Sequence, residues 1–418
     1  MVNLTTPTIY QADNLAVMEA INSNCIDCIY ADPPFMTQRD HHQVKGSGST
    51  LAFTDKWSEP AIEDQQWLQD LITNPKILTK LSQKENETNL ELFTLVKVAG
   101  YHSQSMRAYI LYMVRRLLEM KRILKDQGPI YIHCDQKTAH YLKIAMDIIF
   151  GQNRFKEIVW QRHISQHNGL YGGVHDTILY YGSDKLSTET RQDPDEDYMA
   201  KEYKKTDEKG RYRRDDLTPY REFNYDANNE RFQPWRDKQP TRIDGTPAPW
   251  SCPGVNTVYG QWIREKYIPE YTEDKSCHEK LDLLDKHGFI EWPKSASAMP
   301  SLKRYLFDGS GSAWSSLWLA KHIKPLGIQP NERLGYPTQK PEALMRRIII
   351  ASVPKTGVIL DPFCGSGTTI AAAMDLNRQV IGIDSSDVAI STMKDRFSAK
   401  AYGNIHFTTE LPVRSDNG

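Results

Sequence analysis

A short acidic and proline-rich turn near the start of the chain has the residue types that a site for a planar amine needs. The sequence Asp32-Pro33-Pro34-Phe35 follows the apolar segment 26–31, which is predicted to be a strand. Two prolines fix the backbone and remove its N–H groups, so the Asp32 carboxylate and the Pro33 carbonyl remain as acceptors. Phe35 adds an aromatic ring that can stack on a planar base.

The chemistry that suits this turn is attack by an exocyclic amine on an activated methyl group. The lone pair of the adenine amine is delocalised into the ring, so the nitrogen is a poor nucleophile until acceptors draw it toward a tetrahedral geometry. Direct attack then needs no metal and no covalent intermediate. An isolated Asp-Pro-Pro can also be a simple turn that ends a strand, so a second motif is needed.

A glycine-rich turn near the other end of the chain supplies that second motif. Residues 361–369, Asp-Pro-Phe-Cys-Gly-Ser-Gly-Thr-Thr, follow a predicted strand at 357–360 and open a predicted helix. Doubly wound sheets build nucleotide-like sites from such a strand, glycine turn and helix N-terminus. The segment lacks the lysine of a phosphate-binding loop and the three-glycine spacing of a dinucleotide fingerprint.

An acidic residue at the end of the next predicted strand, Asp384, completes this second site. Such a side chain can accept hydrogen bonds from ribose hydroxyls. Asp361 and Asp384 together indicate a ligand with a ribose and a positive charge, and S-adenosylmethionine has both. The alternative, a tight turn without a ligand, is disfavoured by the presence of Asp384 in register.

The elements around both motifs alternate as strands and helices, which predicts a parallel sheet. The loop at about 36–60 has the composition of a mobile segment, and an irregular helical region follows to about residue 100. The other predicted elements are strands at 8–12, 26–31, 130–132, 157–160, 357–360 and 379–383, and helices at 14–21, 106–124, 139–150, 341–350 and 368–376.

The middle of the chain, 161–325, is polar, aromatic and proline-rich, and is predicted to be a separate domain between halves at 1–160 and 326–418. The stretch 201–221 contains eight Lys or Arg residues and five Asp or Glu residues, with three tyrosines among them. This composition fits a surface that holds phosphates, but a solvated loop would look similar.

Composition narrows the class of protein. The chain has 418 residues, a formal net charge of −1 and no apolar run that could span a membrane. It has no secretion signal at its N-terminus, so an intracellular, cytoplasmic location is expected.

Cys25 and Cys28 have metal-type spacing but no second pair, so reduced thiols are expected and no metal site is predicted. Any DNA contact must come from a local surface, because the net charge is not basic.

The two motifs, in this order, resemble those of the β-group of amino-methylating DNA methyltransferases, in which a target-recognition domain lies between the catalytic and cofactor motifs. The resemblance covers about 1–160 and 326–418. It implies a Rossmann-like, mainly parallel seven-stranded sheet flanked by helices, with S-adenosylmethionine as cofactor. It also implies double-stranded DNA as partner, with the target base flipped into a cleft, and leaves open a homodimer and a cognate restriction endonuclease.

The resemblance also implies roles for individual residues. Asp13 would meet the cofactor's adenine, and Lys340, in the segment 336–341, would line the methionine pocket. Segments 130–135 and 157–162 look like later strands of the family. The family often has Tyr at the position of Phe35, and stacking survives that change. The implied catalytic residues are Asp32, Pro33, Pro34 and Phe35, and the implied cofactor-binding residues are Asp13, Lys340, Asp361, Phe363, Gly365, Gly367, Thr368 and Asp384.

Within the family, Asp at the first position of the catalytic motif goes mostly with adenine N6 and Ser with cytosine N4, so Asp32 favours adenine. Cytosine N4 and RNA bases stay open as alternatives, as does a catalytically silent DNA-binding subunit, although the intact motifs speak against the last. His133 is interpreted as a strand-end residue satisfied by backbone, and Asp135 as a possible helix cap. Both stay outside the predicted site.

Overall fold

The structure is a computed structural model that describes residues 6–45, 48–163, 172–183, 191–192, 196–218, 224–306 and 312–414. The chain divides into two compact units, one of residues 1–190 and 315–418 and the other of residues 191–314. Among the described residues, no helix has the length and apolar character needed to cross a bilayer.

The elements of the first unit alternate much as the sequence predicts. Before the second unit they are β1 (Thr8–Tyr10), α1 (Asn14–Glu19), β2 (Cys28–Ala31), β3 (Asp40–Lys45), β4 (Gly48–Thr54), α2 (Ile62–Thr73), α3 (Pro75–Leu78), α4 (Gln83–His102), α5 (Gln104–Ile123), β5 (Ile130–Cys134), α6 (Ala139–Phe150), β6 (Phe155–Gln161) and β7 (His175–Tyr181).

The described residues of the second unit form short strands and three α-helices. They are β8 (Arg191–Gln192), α7 (Glu196–Glu202), β9 (Lys205–Asp207), β10 (Gly210–Asp216), α8 (Val258–Lys266), α9 (Cys277–Lys286), β11 (Ile290–Glu291), β12 (Ser301–Tyr305) and β13 (Ser312–Ala313). The first unit then resumes with β14 (Leu317–Trp318), α10 (Glu342–Ser352), β15 (Val358–Asp361), α11 (Thr368–Asp375), β16 (Gln379–Ile383), α12 (Asp387–Ala399) and β17 (His406–Thr408).

The main sheet of the first unit has the order β14-β6-β7-β5-β2-β15-β16-β1-β17. All neighbours are parallel except that β7 runs antiparallel to both β5 and β6. The structure therefore has the predicted mainly parallel α/β fold, with nine strands instead of seven. The difference comes from the short edge strands β14 and β17, whose pairing depends on the neighbours they meet and not on a local pattern.

Helices cover both faces of this sheet because successive strand residues point to opposite sides. In β2, Ile29 and Ala31 join a core with helices α4, α5 and α6. Cys28 and Tyr30 join a second core with α10, α11 and α12. All four strand residues are buried, which explains why β2 is continuously apolar in sequence.

The boundaries of the two compact units along the chain differ from the predicted domain bounds of 161–325. Strand β7 pairs with β5 and β6, and β14 pairs with β6, so main-chain hydrogen bonds place both strands in the first unit. The polar composition of 161–190 misled the prediction, since it gives no sign of strand β7.

The segment 36–60 was predicted to be a mobile loop, and that prediction is wrong for its centre. Strands β3 and β4 form an antiparallel hairpin. The hairpin is held by tertiary contacts: Ser386 Oγ donates to the Ala52 carbonyl at 2.7 Å, and Gln43 Nε2 donates to Thr392 Oγ1 at 2.9 Å. Local composition could not reveal these partners because they lie more than 300 residues away.

The second unit has a four-stranded antiparallel sheet in the order β11-β12-β10-β9, packed with α8 and α9. Its core is aromatic, with Trp250, Tyr271, Phe289 and Tyr305 fully buried. The basic stretch 201–221 forms part of this sheet, and its residues 219–221 lie outside the described residues.

Candidate functional site

Four acidic residues lie at or just beyond the carboxyl ends of four neighbouring strands of the main sheet. Asp32 follows β2, Asp361 ends β15, Asp384 follows β16, and Asp13 lies just after β1. Because parallel strands end at the same edge, all four carboxylates line one cavity of about 800 Å³. This position, at the carboxyl edge of a doubly wound sheet, is where such folds bind ligands.

The catalytic turn predicted from sequence lies on one side of this cavity. Asp32, Pro33, Pro34 and Phe35 are all among its lining residues. Tyr30, the residue two positions before Asp32, also lines it. The backbone therefore leaves the sheet directly into the cavity wall.

Lys340 forms an ion pair with Asp32, although the resemblance implied that it lines the methionine pocket. Its ammonium group also donates to the Thr338 carbonyl at 3.3 Å and lies 5.5 Å from the centroid of the Phe35 ring. Lys340 is 8% exposed and lines the cavity. The structure thus places this lysine beside the Asp32–Phe35 turn, in the wall of the same cavity.

The glycine turn forms the opposite side of the cavity. Gly365 has a φ of +48° and its N–H donates to Asp384 Oδ2 at 2.9 Å. A Cβ on Gly365 would lie 3.3 Å from the Tyr336 ring, which also lines the cavity. Phe363, Gly365 and Thr368, for which the resemblance implies cofactor binding, line the cavity.

Gly367 was predicted to bind the cofactor, but it is not among the lining residues of the cavity. It has a φ of +74°, and a Cβ there would lie 2.7 Å from Met393 Cγ and 2.8 Å from Phe397 Cζ. Its absence of a side chain therefore lets α12 pack closely against the turn. The structure thus gives this second glycine a packing role that the sequence motif does not reveal.

Burial changes the ionisation of the two acids on this side. Burial raises the pKa of Asp361 to about 7, although Thr369 Oγ1 and the Phe363 N–H donate to its carboxyl group at 2.5 and 3.1 Å. Burial also raises the pKa of Asp384, against hydrogen bonds from the N–H groups of Ser386 and Gly365. A cationic ligand would favour the ionised form of both.

A polar bridge joins the end of β1 to the glycine turn. Asn14 Nδ2 donates to the Pro362 carbonyl at 2.8 Å, and Arg116 Nε donates to Asn14 Oδ1 at 2.6 Å. Arg116 also pairs with Asp13 at 2.9 Å, and Asp13 caps α1 by accepting from the Leu15 N–H. Sequence reasoning identified Asp13 but missed Asn14 and Arg116, because a polar residue inside an amphipathic helix gives no sign of its partner.

Aromatic side chains from distant elements complete the cavity wall. Tyr112 of α5 lies 5.0 Å from Trp57 and 6.5 Å from Phe363, as measured between ring centroids. All three line the cavity. Trp57 lies in the segment predicted to be a mobile loop. Its aromatic residue type was therefore the only sequence signal that it could form part of a binding site.

A family model described as DNA methylase of the N6/N4 type matches residues 26–395. This chain belongs to that family. It is 32% identical over 298 residues to the type II methyltransferase M.EcaI of Enterobacter cloacae, which covers 70% of this chain and 58% of that protein. It is 25% identical over 379 residues to the Mod subunit of the type III restriction-modification enzyme StyLTI of Salmonella typhimurium, with 88% of this chain and 49% of that protein covered. The chain thus spans roughly half the length of these two relatives.

Membership of the DNA methylase family supports S-adenosylmethionine as the cofactor, and the cavity residues fit this group. Asp384 and Asp13 can accept hydrogen bonds from hydroxyl and amino groups, and Asp361 can face a positive charge. Gly365 lines the cavity without a side chain, so a ligand can approach the backbone of the turn there. The cavity volume lies within the range for small-ligand sites, about 300–1,000 Å³.

The structure corrects the interpretation of His133 in this family member. The side chain is fully buried, and side chains satisfy it instead of the backbone: Nδ1 lies 3.0 Å from the Tyr30 hydroxyl and Nε2 lies 3.0 Å from Asp176 Oδ2. Asp135 Oδ1 accepts from the N–H and the hydroxyl of Thr138 at 2.9 and 2.6 Å, in the turn that precedes α6. The N-cap residue of α6 is Thr138, so Asp135 orders this turn and does not cap the helix itself. Asp176 lines the cavity and was missed, because β7 was not predicted.

Proposed function

We propose that this chain transfers the methyl group of S-adenosylmethionine to N6 of an adenine flipped out of double-stranded DNA. The observation that carries the proposal is that the Asp32–Phe35 turn and the glycine turn at Asp361–Thr369, far apart in sequence, line one cavity. Membership of the DNA methylase family adds independent support.

In this proposal each cavity residue has a defined task. Asp32 and the Pro33 carbonyl accept hydrogen bonds from the target amine, which draws its nitrogen toward the tetrahedral geometry of the transition state. Phe35 stacks on the flipped base. Asp384 and Asp13 hold the ribose and adenine ends of the cofactor, and Asp361 faces its positive charge. Bound S-adenosylmethionine would supply an electrophilic sulfonium methyl group: its S–C bond would break as the N–C bond forms, the thioether S-adenosylhomocysteine would leave, and the displaced amine proton would pass to water.

Adenine is proposed over cytosine because the catalytic motif begins with Asp32. The family includes enzymes of both the N6 and N4 kinds. Incubation of the protein with labelled cofactor and separate DNA and RNA substrates, followed by digestion to nucleosides, tests the choice. N6-methyldeoxyadenosine is the expected product. N4-methyldeoxycytidine would reassign the target base, and label found only in RNA would refute the proposal.

The second unit is proposed to read the target sequence, in keeping with the target-recognition domain expected from the sequence. Its basic residues are partly paired with acids, since Lys205 and Arg214 both contact Glu291 and Lys303 contacts Asp207. Contacts to base edges, not charge alone, must therefore supply specificity. Sequencing of modified bases in DNA from a host that expresses the chain would give the recognition sequence.

The partners and location follow from the same proposal. A DNA substrate places the enzyme in the cytoplasm, and the names of the two relatives suggest a cognate restriction endonuclease. We also propose a homodimer, which sedimentation of the purified protein would test. A host that lacks any endonuclease blocked by the modification would show that the enzyme acts alone.

A further inference from the structure

A chain of buried polar side chains crosses three strands directly behind the catalytic turn. His133 of β5 is 0% exposed and lies between Tyr30 of β2 and Asp176 of β7. Tyr30 and Asp176 are also buried, at 2% and 4% exposure. Three linked polar groups buried in a sheet are a costly arrangement unless every hydrogen bond is made.

The hydrogen bond between His133 and Asp176 has a defined direction. Burial opposes ionisation of Asp176, but the hydrogen bond and charge of His133, together with Lys340 and Arg162, hold the pKa of Asp176 below its ordinary value. An ionised carboxylate only accepts, so His133 Nε2–H donates to it. His133 Nδ1 lies 3.0 Å from the Tyr30 hydroxyl, which keeps its proton because burial raises the tyrosine pKa.

The imidazole held in this way touches the wall of the site. Its ring centroid lies 5.9 Å from that of Phe35 with an interplanar angle of 35°, and 5.6 Å from Trp160 with an angle of 88°. Phe35, Trp160, Tyr30 and Asp176 line the cavity, whereas His133 is not among the lining residues. His133 therefore contacts the aromatic wall from behind.

We propose that His133 is a positioning residue that fixes the plane of Phe35, and that Tyr30 and Asp176 act by locking the imidazole in one orientation. The inference rests on the proposed function, because Phe35 must stack on the target base for its plane to matter. Rotation of the imidazole would let the Phe35 ring tilt away from the stacking geometry. Methyl transfer would then slow without any change in cofactor binding.

Two buried tyrosines provide a matched test. Tyr30 and Tyr131 are register partners on neighbouring strands, with 2% and 3% exposure, and each hydroxyl has one side-chain partner. Tyr131 contacts Ser352 Oγ at 2.5 Å, away from the catalytic turn. Tyr30→Phe and Tyr131→Phe each delete one buried hydroxyl, so a purely structural role predicts equal effects on activity.

The experiment measures kcat and KM for DNA, cofactor affinity by calorimetry, and thermal stability for the full chain and both variants. Tyr30→Phe is expected to lower kcat by about tenfold, the effect of one hydrogen bond, while Tyr131→Phe retains the parent kcat. Cofactor affinity should stay within about twofold in both, since neither hydroxyl binds cofactor in this scheme. Asp176→Asn keeps an acceptor for His133 Nε2–H and should be less impaired than Asp176→Ala.

Equal kcat in Tyr30→Phe and Tyr131→Phe would overturn the inference and leave the chain of hydrogen bonds as a structural feature. Weakened cofactor binding in Tyr30→Phe would also overturn it, because the network would then act on the other half of the site. If the parent protein binds S-adenosylmethionine but methylates no base in DNA, the proposed function itself fails, and the inference fails with it.

Discussion

At the residue scale, the site combines acids whose environments differ. Asp32 is paired with Lys340, whereas Asp361 is buried and accepts hydrogen bonds from the Thr369 hydroxyl and the Phe363 N–H. Residue types that look equivalent in the sequence are thus given separate tasks by charge and burial. Two substitutions and one pH dependence follow from this difference.

Asp32→Ala should abolish detectable methyl transfer, a loss of at least about a hundredfold, because an acceptor for the reacting amine is removed. Cofactor affinity, measured by calorimetry, should change by less than about threefold, because Asp32 acts on the base side. Asp32→Asn also loses the ion pair with Lys340 but keeps the shape of the side chain. It therefore controls for the effect of the lost ion pair. A large loss of cofactor affinity in Asp32→Asn would refute the assignment.

Asp384→Ala should weaken cofactor binding by about tenfold to a hundredfold, the range for a hydrogen bond to a charged group. Asp387→Ala is a matched control, because Asp387 lies three residues further on, outside the cavity lining, and accepts from Gln11. Calorimetric affinity that is unchanged in Asp384→Ala, or equally weakened in both variants, would count against the ribose role.

Cofactor binding should also depend on pH through Asp361. Its pKa is raised to about 7, chiefly by burial. Below that pH the carboxyl is mostly neutral, so affinity for a cationic ligand should fall as the pH drops from about 8 to 6, and binding near pH 7 should release protons. Calorimetry in buffers of different ionisation enthalpy measures both effects. Asp361→Asn should remove this pH dependence, and its persistence would exclude Asp361 as the cause.

At the element scale, the order of the strands in the main sheet brings the two motifs together. Strand β2 pairs with β15, and β15 pairs with β16, so turns distant in sequence emerge side by side. The alternation of strands and helices predicted a parallel sheet but not this strand order, and the helix at Ala139–Phe150 and the strand at Gln379–Ile383 have the predicted bounds. The hairpin of β3 and β4 was missed, because contacts with α12 hold it.

The packing of α12 on the glycine turn gives a prediction about stability. Gly367→Ala should lower the free energy of unfolding by about 1–3 kcal/mol from backbone strain and by a further ~1–3 kcal/mol from overpacking against Met393 and Phe397. Gly151→Ala is the control, because Gly151 also has a positive φ, +85°, but a Cβ there meets nothing within 4 Å. Urea unfolding of both variants measures the difference, and equal losses would contradict the packing role.

At the scale of the whole molecule, a compact aromatic unit interrupts the sheet-forming chain between β7 and β14. The sequence predicted an insertion at 161–325, which is wider than the compact unit 191–314. The prediction included β7 because this strand, which carries Asp176, lies in a polar stretch. The second unit therefore begins after β7, which contributes Asp176 to the cavity wall, and β15 and β16 follow it in the chain. Changes confined to 191–314 are expected to alter which DNA is methylated before they alter the chemistry.

The sequence by itself determined the α/β rhythm, the two motifs and the acids at the ends of their strands, because strand periodicity and turn chemistry are local properties. Only the tertiary structure decided that Lys340 pairs with Asp32, that Asn14 and Arg116 brace the glycine turn, and that His133 is held by Tyr30 and Asp176. Each of these contacts joins residues distant along the chain, and a buried polar side chain reveals its partner only when the sheet has brought both together.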